Sequence, residues 1–305
     1  MSTSRAARCA VALAQCRVAR KVVRESVDVP QSVAEAYDVQ RRLHENLQEM
    51  TGSQSVGSKV GCTTPVMQEY LRVPHPCAGG IQDASLWTTQ PLPYDIWQPY
   101  APHEIKRHNW HHRIGLECEI AVVLQEQLGP GPVTFEQAAA AVGSIHAAVE
   151  LVEDRYEDFP KNKPGPLCWL ADDFFHGGSV LGPPIALCEG GRVTQSAPFD
   201  PRHADSLHGT MSVDGRVVGA GRGADIVNGH PLQALMWLAS CADAAPAGLP
   251  PGWIVSLGSV CRTHWLPAPS EARDVTEVRI NFTLSEPVTR VGDEVNGGRV
   301  AIDFI

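Results

Sequence analysis

The sequence predicts an α+β chain in which a mainly helical N-terminal region, residues 1–55, precedes a larger unit built on a curved antiparallel or mixed sheet, residues 56–305. Three observations carry this prediction. Apolar residues recur at helical intervals up to about residue 50. After Gly52 the pattern changes to short β-type runs cut by Gly, Pro and Asn. Only two further helical patterns interrupt those runs, without the regular alternation of a doubly wound sheet.

In chain order, "CAVALAQCRVARKVV" reads as a first helix. Residues 1–24 hold Arg5, Arg8, Arg17, Arg20, Lys21 and Arg24 and no acid, a composition shared with organelle transit peptides; an amphipathic helix is the reading taken here. A second helix follows in "SVAEAYDVQRRLHENLQEM", where Val33, Ala36, Tyr37, Val39, Leu43 and Leu47 share a face and Ser32 with Glu35 forms a capping-box signature. Strands are expected in "SKVGC", "ECEIAVVL", "GSVLG", "GWIVSLGS" and "VTEVRINFTL". "SVDGRVVG" reads as a hairpin, because Asp-Gly between β-formers favours a type I′ turn. The two later helices are "TFEQAAAAVGSIHAAVELV", capped by Thr134, and "HPLQALMWLASCADA". Residues 88–112, rich in Pro and aromatics, read as a long loop or lid.

Composition narrows the class of function. With 25 Lys+Arg against 34 Asp+Glu, the chain lacks the basic footprint of a nucleic-acid binder. No run of 18 apolar residues suggests a membrane span, and the N-terminus lacks the apolar stretch of a secretory signal. Nine cysteines, an odd number without a C-x-x-C pair, fit a reducing compartment, so a soluble cytoplasmic protein is expected.

The segment "RIGLECEIAVVL" (113–124) raises a chemical question, since Glu117 and Glu119 interrupt an apolar, β-branched run. Residues i and i+2 of a strand face the same way, so the two carboxylates project together. At roughly 6.6 Å apart and an effective dielectric of about 20, they repel by about 2.5 kcal/mol before any desolvation. An exposed face is the competing reading, but apolar residues on both faces of "IAVVL" mark a strand buried on both sides. Glu150 lies where the helical pattern of "HAAVELVEDRYEDF" runs out and is placed as a third inward acid at a helix end. Three oxygen donors without His or Cys suit a hard cation, Mg²⁺ or Mn²⁺. Lys59, isolated from other charges in "GSKVGCTTP", is a candidate for binding a substrate carboxylate or for proton transfer.

The ordered series "AEAYDVQ", "SKVGCTTPVMQEYLRV", "ECEIAVVL", "AAVELVEDRYEDF", "LADDFFHGGSVLG", "GRGADIVNGHPLQALMWLA" and "GWIVSLGS" resembles the 2-keto-4-pentenoate hydratase and 4-oxalocrotonate decarboxylase branch of the fumarylacetoacetate hydrolase superfamily. The resemblance implies a distorted mixed β-roll of the superfamily's C-terminal type, a divalent metal, and a small 2-keto or 2-hydroxydienoate acid as substrate. It places Glu117, Glu119 and Glu150 as metal carboxylates, Lys59 and Asp172 as catalytic residues, and Thr63 and Ser259 at the substrate. A homo-oligomer is expected, in complex with a sister hydratase or decarboxylase as a further option. One departure stands out. The acid that hydratases of this branch carry in a P-D-F-G stretch is replaced by Cys77 in Pro76-Cys77-Ala78-Gly79, with His75 beside it. The expected function is therefore metal-dependent hydration of a 2-hydroxydienoate or 2-keto-enoate, with decarboxylation of a 2-oxo-enedioate, C–C bond hydrolysis, or a non-catalytic partner subunit as alternatives. The histidines 103, 108, 111 and 112 are read as an exposed loop and not as a zinc site.

Overall fold

Ser4 and Ser32 start the two N-terminal helices, α1 (Arg5–Val18) and α2 (Val33–Thr51), by accepting hydrogen bonds from the backbone amides of Ala7 and Glu35. The Glu35 carboxylate accepts from the amide of Gln31, so only half of the predicted capping box forms. Gly52, at φ 78°, ends α2 in the left-handed cap that glycine adopts without strain. The buried stripe of α2 includes Ala36, Tyr37, Val39, Leu43 and Leu47, as the periodicity predicts.

This computed structural model describes residues 4–24, 27–88, 103–105, 112–161, 163–188, 196–266, 277–284, 294–296 and 299–304. After α2 the chain runs through β1 (Ser55–Gly61), α3 (Pro65–Leu71), β2 (Cys77–Gln82), β3 (Leu86–Thr88), β4 (His103–Ile105) and β5 (Arg113–Leu124). There follow α4 (Phe135–Ala141), β6 (Val142–Asp154), α5 (Pro166–Ala171), β7 (His176–Pro184), β8 (Ala186–Cys188) and β9 (Ser196–Pro198). The last third holds β10 (Leu207–Val213), β11 (Arg216–Arg222), α6 (Pro231–Ser240), β12 (Ile254–Ser259), β13 (His264–Trp265), β14 (Glu277–Leu284), β15 (Glu294–Asn296) and β16 (Arg299–Phe304).

The main sheet has the order β2-β1-β12-β5-β6-β7-β3, with β13 added to β5. It is mixed: β1–β12 and β3–β7 pair in parallel and the other neighbours antiparallel. A second sheet, β11-β10-β14-β16-β4, contains the predicted hairpin, whose Asp214-Gly215 turn has φ values of 47° and 77°. The third is a small β15-β8-β9 sheet. The architecture is therefore the expected α+β one. Apolar residues of α1 and α2, such as Leu13 and Leu43, belong to the same continuous core as Trp169 of α5 and Val149 of β6.

One element differs from the sequence reading. The helix that starts at Thr134 stops at Ala141, and Val142–Asp154 is a 13-residue strand, so Glu150 lies in mid-strand and not at a helix end. Gly143 and Ser144 weaken helix continuation, while Val142, Ile145, Val149 and Val152 are β-branched. Pairing along nearly the whole of β5 then decides the outcome, as tertiary context overrides local propensity. Most of the predicted lid lies outside the described residues, as do His108 and His111.

Candidate metal centre

Glu117 on β5 is the direct cross-strand partner of Glu150 on β6, and Glu119 lies two residues further along the same face. One ligand oxygen from each of the three carboxylates can be chosen so that all lie within 4.8 Å of one another. Glu119 and Glu150 are almost completely buried, at 1% and 2% exposure. Like charges opposite one another destabilise a sheet, so this register runs against pairing energetics.

Each carboxylate is oriented through one of its oxygens. Glu119 Oε2 accepts from Ser256 Oγ at 2.7 Å and from the amide of Gly258 at 2.8 Å. That amide is aimed by a bulge in β12, where Ser256 pairs with Ala121 and Ser259 with Glu119, and where Gly258 takes φ 115°. Glu150 Oε1 lies 3.0 Å from His176 Nδ1 and 3.3 Å from Lys59 Nζ. Glu117 Oε1 accepts a short hydrogen bond from Thr263. One oxygen of each glutamate can still be offered to a common ligand.

The titration behaviour expresses the crowding. Burial, and then the charge of Glu150, raise Glu117 to about 7. Burial followed by the charges of Glu150 and Glu117 drive Glu119 well above the carboxylate range. Burial works in the same direction on Glu150, but Lys59 and His176 outweigh it and hold that group below its ordinary value. Without a cation, protons must take up part of the charge. Three converging carboxylates, two buried and one half-buried, fit a hard divalent ion, which would replace those protons.

Lys59, 3% exposed on β1, donates to the carbonyl of Phe174 at 2.5 Å, and its Nζ stands 4.9 Å from the centre of the Phe174 ring. That carbonyl belongs to an unusual turn. Asp173, Phe174 and Phe175 have φ values of 55°, 47° and 67°, three successive left-handed residues without a glycine among them. Each costs about 1–2 kcal/mol, so surrounding contacts must impose the conformation.

Of the residues singled out from sequence, Glu117, Glu119, Glu150 and Lys59 are brought together. Thr63 packs against Gly258, where an added Cβ would sit 3.0 Å from its methyl group. Ser259 is the cross-strand partner of Glu119, but its hydroxyl is engaged by the backbone of Cys118, accepting from the amide at 3.1 Å and donating to the carbonyl at 3.2 Å. Asp172, expected from sequence as a catalytic residue, lies in an ion-pair cluster of its own. Its carboxylate is fully buried between two guanidiniums, with Arg17 Nε and Arg155 Nε each 2.7 Å away, and neither oxygen is directed to the glutamate cluster. Cys77 is buried at the start of β2, and burial, then its hydrogen-bonded neighbour Cys62, push its thiol well above the usual range. The reading from sequence missed Ser256, Thr263 and His176. Ser256 precedes Ser259 in "VSLGS" and was within reach of a strand argument, whereas nothing in "DDFFHGG" marks His176 as a partner of Glu150.

Comparison with known proteins agrees with this geometry. Residues 95–295 match the fumarylacetoacetate (FAA) hydrolase C-terminal family. A 2-keto-4-pentenoate hydratase of Burkholderia vietnamiensis is 27% identical over 227 residues, 74% of this chain and 75% of that protein. A 4-oxalocrotonate decarboxylase of a Pseudomonas species is 29% identical over 229 residues, covering 75% and 77% of the two chains. Among solved structures, the 4-oxalocrotonate decarboxylase from Pseudomonas putida G7, complexed with magnesium and adipate, superposes with a TM-score of 0.75 at 21% identity, over 100% of this chain and 99% of that one. With about two thirds of its length matched, and with the sheet and acidic cluster described above, the chain belongs to the fumarylacetoacetate hydrolase family.

Proposed function

We propose that the chain is a divalent-metal-dependent lyase that adds water to a short 2-hydroxydienoate or 2-keto-enoate acid, with Glu117, Glu119 and Glu150 holding Mg²⁺ or Mn²⁺. The observation that carries this reading is the convergence of two buried carboxylates and the half-buried Glu117 beside a buried lysine. The hydratases and decarboxylases among its relatives support it. The ion, when bound, supplies Lewis-acid stabilisation of negative charge developing on a 2-oxo acid.

The remaining work falls to the chain. Ser256 and the Gly258 amide fix Glu119, and His176 and Thr263 fix Glu150 and Glu117, so the donor oxygens are preorganised. Lys59 brings a positive charge to the edge of the cluster, where it can pair with a substrate carboxylate or carry a proton to or from the dienolate. Thr63, packed on the Gly258 turn, is placed as a substrate contact in this reading; Ser259, engaged with Cys118, supports the turn instead.

Cys77 favours a second reading. A buried thiol held well above its ordinary pKa is a poor substitute for the hydratase acid. Decarboxylation of a 2-oxo-enedioate needs the same electron sink but no water addition. A non-catalytic partner subunit would dispense with the ion as well. Supplying 2-hydroxypenta-2,4-dienoate and 2-oxo-3-hexenedioate with Mg²⁺, while following ultraviolet absorbance and released carbon dioxide, separates these outcomes. Turnover of neither acid by a protein that binds no Mg²⁺ or Mn²⁺ would overturn the enzyme reading. A cytoplasmic homo-oligomer completes the proposal; the eight free cysteines among the described residues support a reducing compartment, and light scattering of the purified chain measures its assembly.

A further inference from the structure

Asp173 tolerates a left-handed conformation, but the two phenylalanines that follow it in the turn that receives Lys59 have no local reason to adopt one. The reason lies in the N-terminal helices. The Asp173 side chain is fully buried; Oδ1 accepts from the amide of Gly80 at 2.7 Å and lies 2.8 Å from His44 Nε2 on α2. Its Oδ2 pairs with Arg17 Nη1 on α1 at 2.8 Å. Strand β2 is cut back to admit this arrangement. A Cβ on Gly79 would stand 2.4 Å from the Asp173 carbonyl oxygen, and one on Gly80 would stand 2.3 Å from the His44 ring. Gly79 is the cross-strand partner of Lys59, so the anchored turn lies directly beside the lysine and offers it the Phe174 carbonyl.

We infer that Asp173 is a positioning residue for Lys59: clamped by Arg17, His44 and Gly80, it imposes the left-handed turn whose Phe174 carbonyl holds the ammonium group beside Glu150. The N-terminal helices thereby act on the active site without touching substrate. The inference rests on the proposed role of Lys59 in the reaction, so its test reads the lysine directly as well as through turnover.

Limiting acetic anhydride, followed by peptide mass spectrometry, measures how fast Lys59 is modified relative to Lys161, whose side chain is 75% exposed. In Asp173→Asn the Lys59-to-Lys161 ratio is expected to rise at least tenfold. In the same variant kcat is expected to fall at least tenfold, with KM changed less than threefold and Mg²⁺ affinity changed less than twofold. His44→Ala, which removes one clamp from outside, is expected to move both readouts in the same direction, and Arg17→Lys to move them less than Arg17→Gln. Met211→Ala, a cavity in β10 of the second sheet, is the control and should lower the melting temperature while leaving the ratio unchanged. An unchanged ratio in Asp173→Asn and His44→Ala, or an equal rise in Met211→Ala, overturns the inference. A raised ratio in a protein whose unmodified form turns over neither acid supports the positioning and overturns the proposed function instead.

Discussion

Two buried clusters of charge lie on either side of the Asp173–Phe175 turn, and they are built to opposite rules. In one, Asp172 and Asp173 meet Arg17 and Arg155, with His44 alongside and Glu153 on Arg155, so that each buried carboxylate has a guanidinium partner from the chain. Arg155 also donates to the carboxylate of Glu153 and to the carbonyls of Asp172 and His176. In the other, three glutamates face one lysine, and two of the three carboxyls are pushed upward for want of positive charge. A balanced buried cluster ties elements together, whereas an unbalanced one persists because an outside ion completes it. This distinction separates the two aspartates of "LADDFF" from the three glutamates, although four of the five are buried acids and Glu117 is half-buried.

The largest expected effect on this comparison comes from Glu119→Gln. It removes a charge that the scaffold aims at the common ligand, and kcat should fall by roughly three orders of magnitude or more, equivalent to about 4 kcal/mol. Steady-state turnover with Mg²⁺ measures this, and full activity would break the assignment. Asp172→Asn attacks the balanced cluster. It should cost about 3–5 kcal/mol of stability by leaving two buried guanidiniums short of charge, read by urea denaturation; a loss of turnover with stability intact would return Asp172 to catalysis. Mg²⁺ at about 100 times its Kd should add about 2.7 kcal/mol to the unfolding free energy of the unsubstituted protein and much less to Glu119→Gln.

The smallest effect concerns pH. In metal-free protein Glu117 is raised from 4.5 to about 7, so the folded state binds more protons than the unfolded state above pH 4.5. Stability contributed by this group is present below that pH and declines as pH rises toward about 7. Glu119, displaced in the same direction, extends the decline. Melting curves in a chelator should show the fall, and saturating Mg²⁺ should flatten it. An identical slope in both would mean that the cluster is not where the ion binds.

Much of this organisation was legible in the sequence. Period and caps placed α1 and α2, the Asp-Gly pair placed the β10–β11 hairpin, and the i, i+2 spacing of Glu117 and Glu119 on an apolar strand pointed to a cation. Glu150 was recognised as the third acid but assigned to the wrong element, because an Ala-rich run reads as helix when its strand partner is 18 to 41 residues away. His176 and the Phe174 carbonyl carried no sequence signal, since a histidine or a backbone group acquires its role only from what it faces.

Periodicity, capping and charge placement are local properties of the chain, and they determined most of the helices and strands, though not β6, and which acids lack partners nearby. Only the tertiary structure decided which buried acids are neutralised from within and which are left for an ion. Arg17 reaches Asp172 across 155 positions, and Lys59 reaches the Phe174 carbonyl across 115. The physical reason is that electrostatic energy depends on separation in space and on burial, and both are fixed only when distant strands and helices pack.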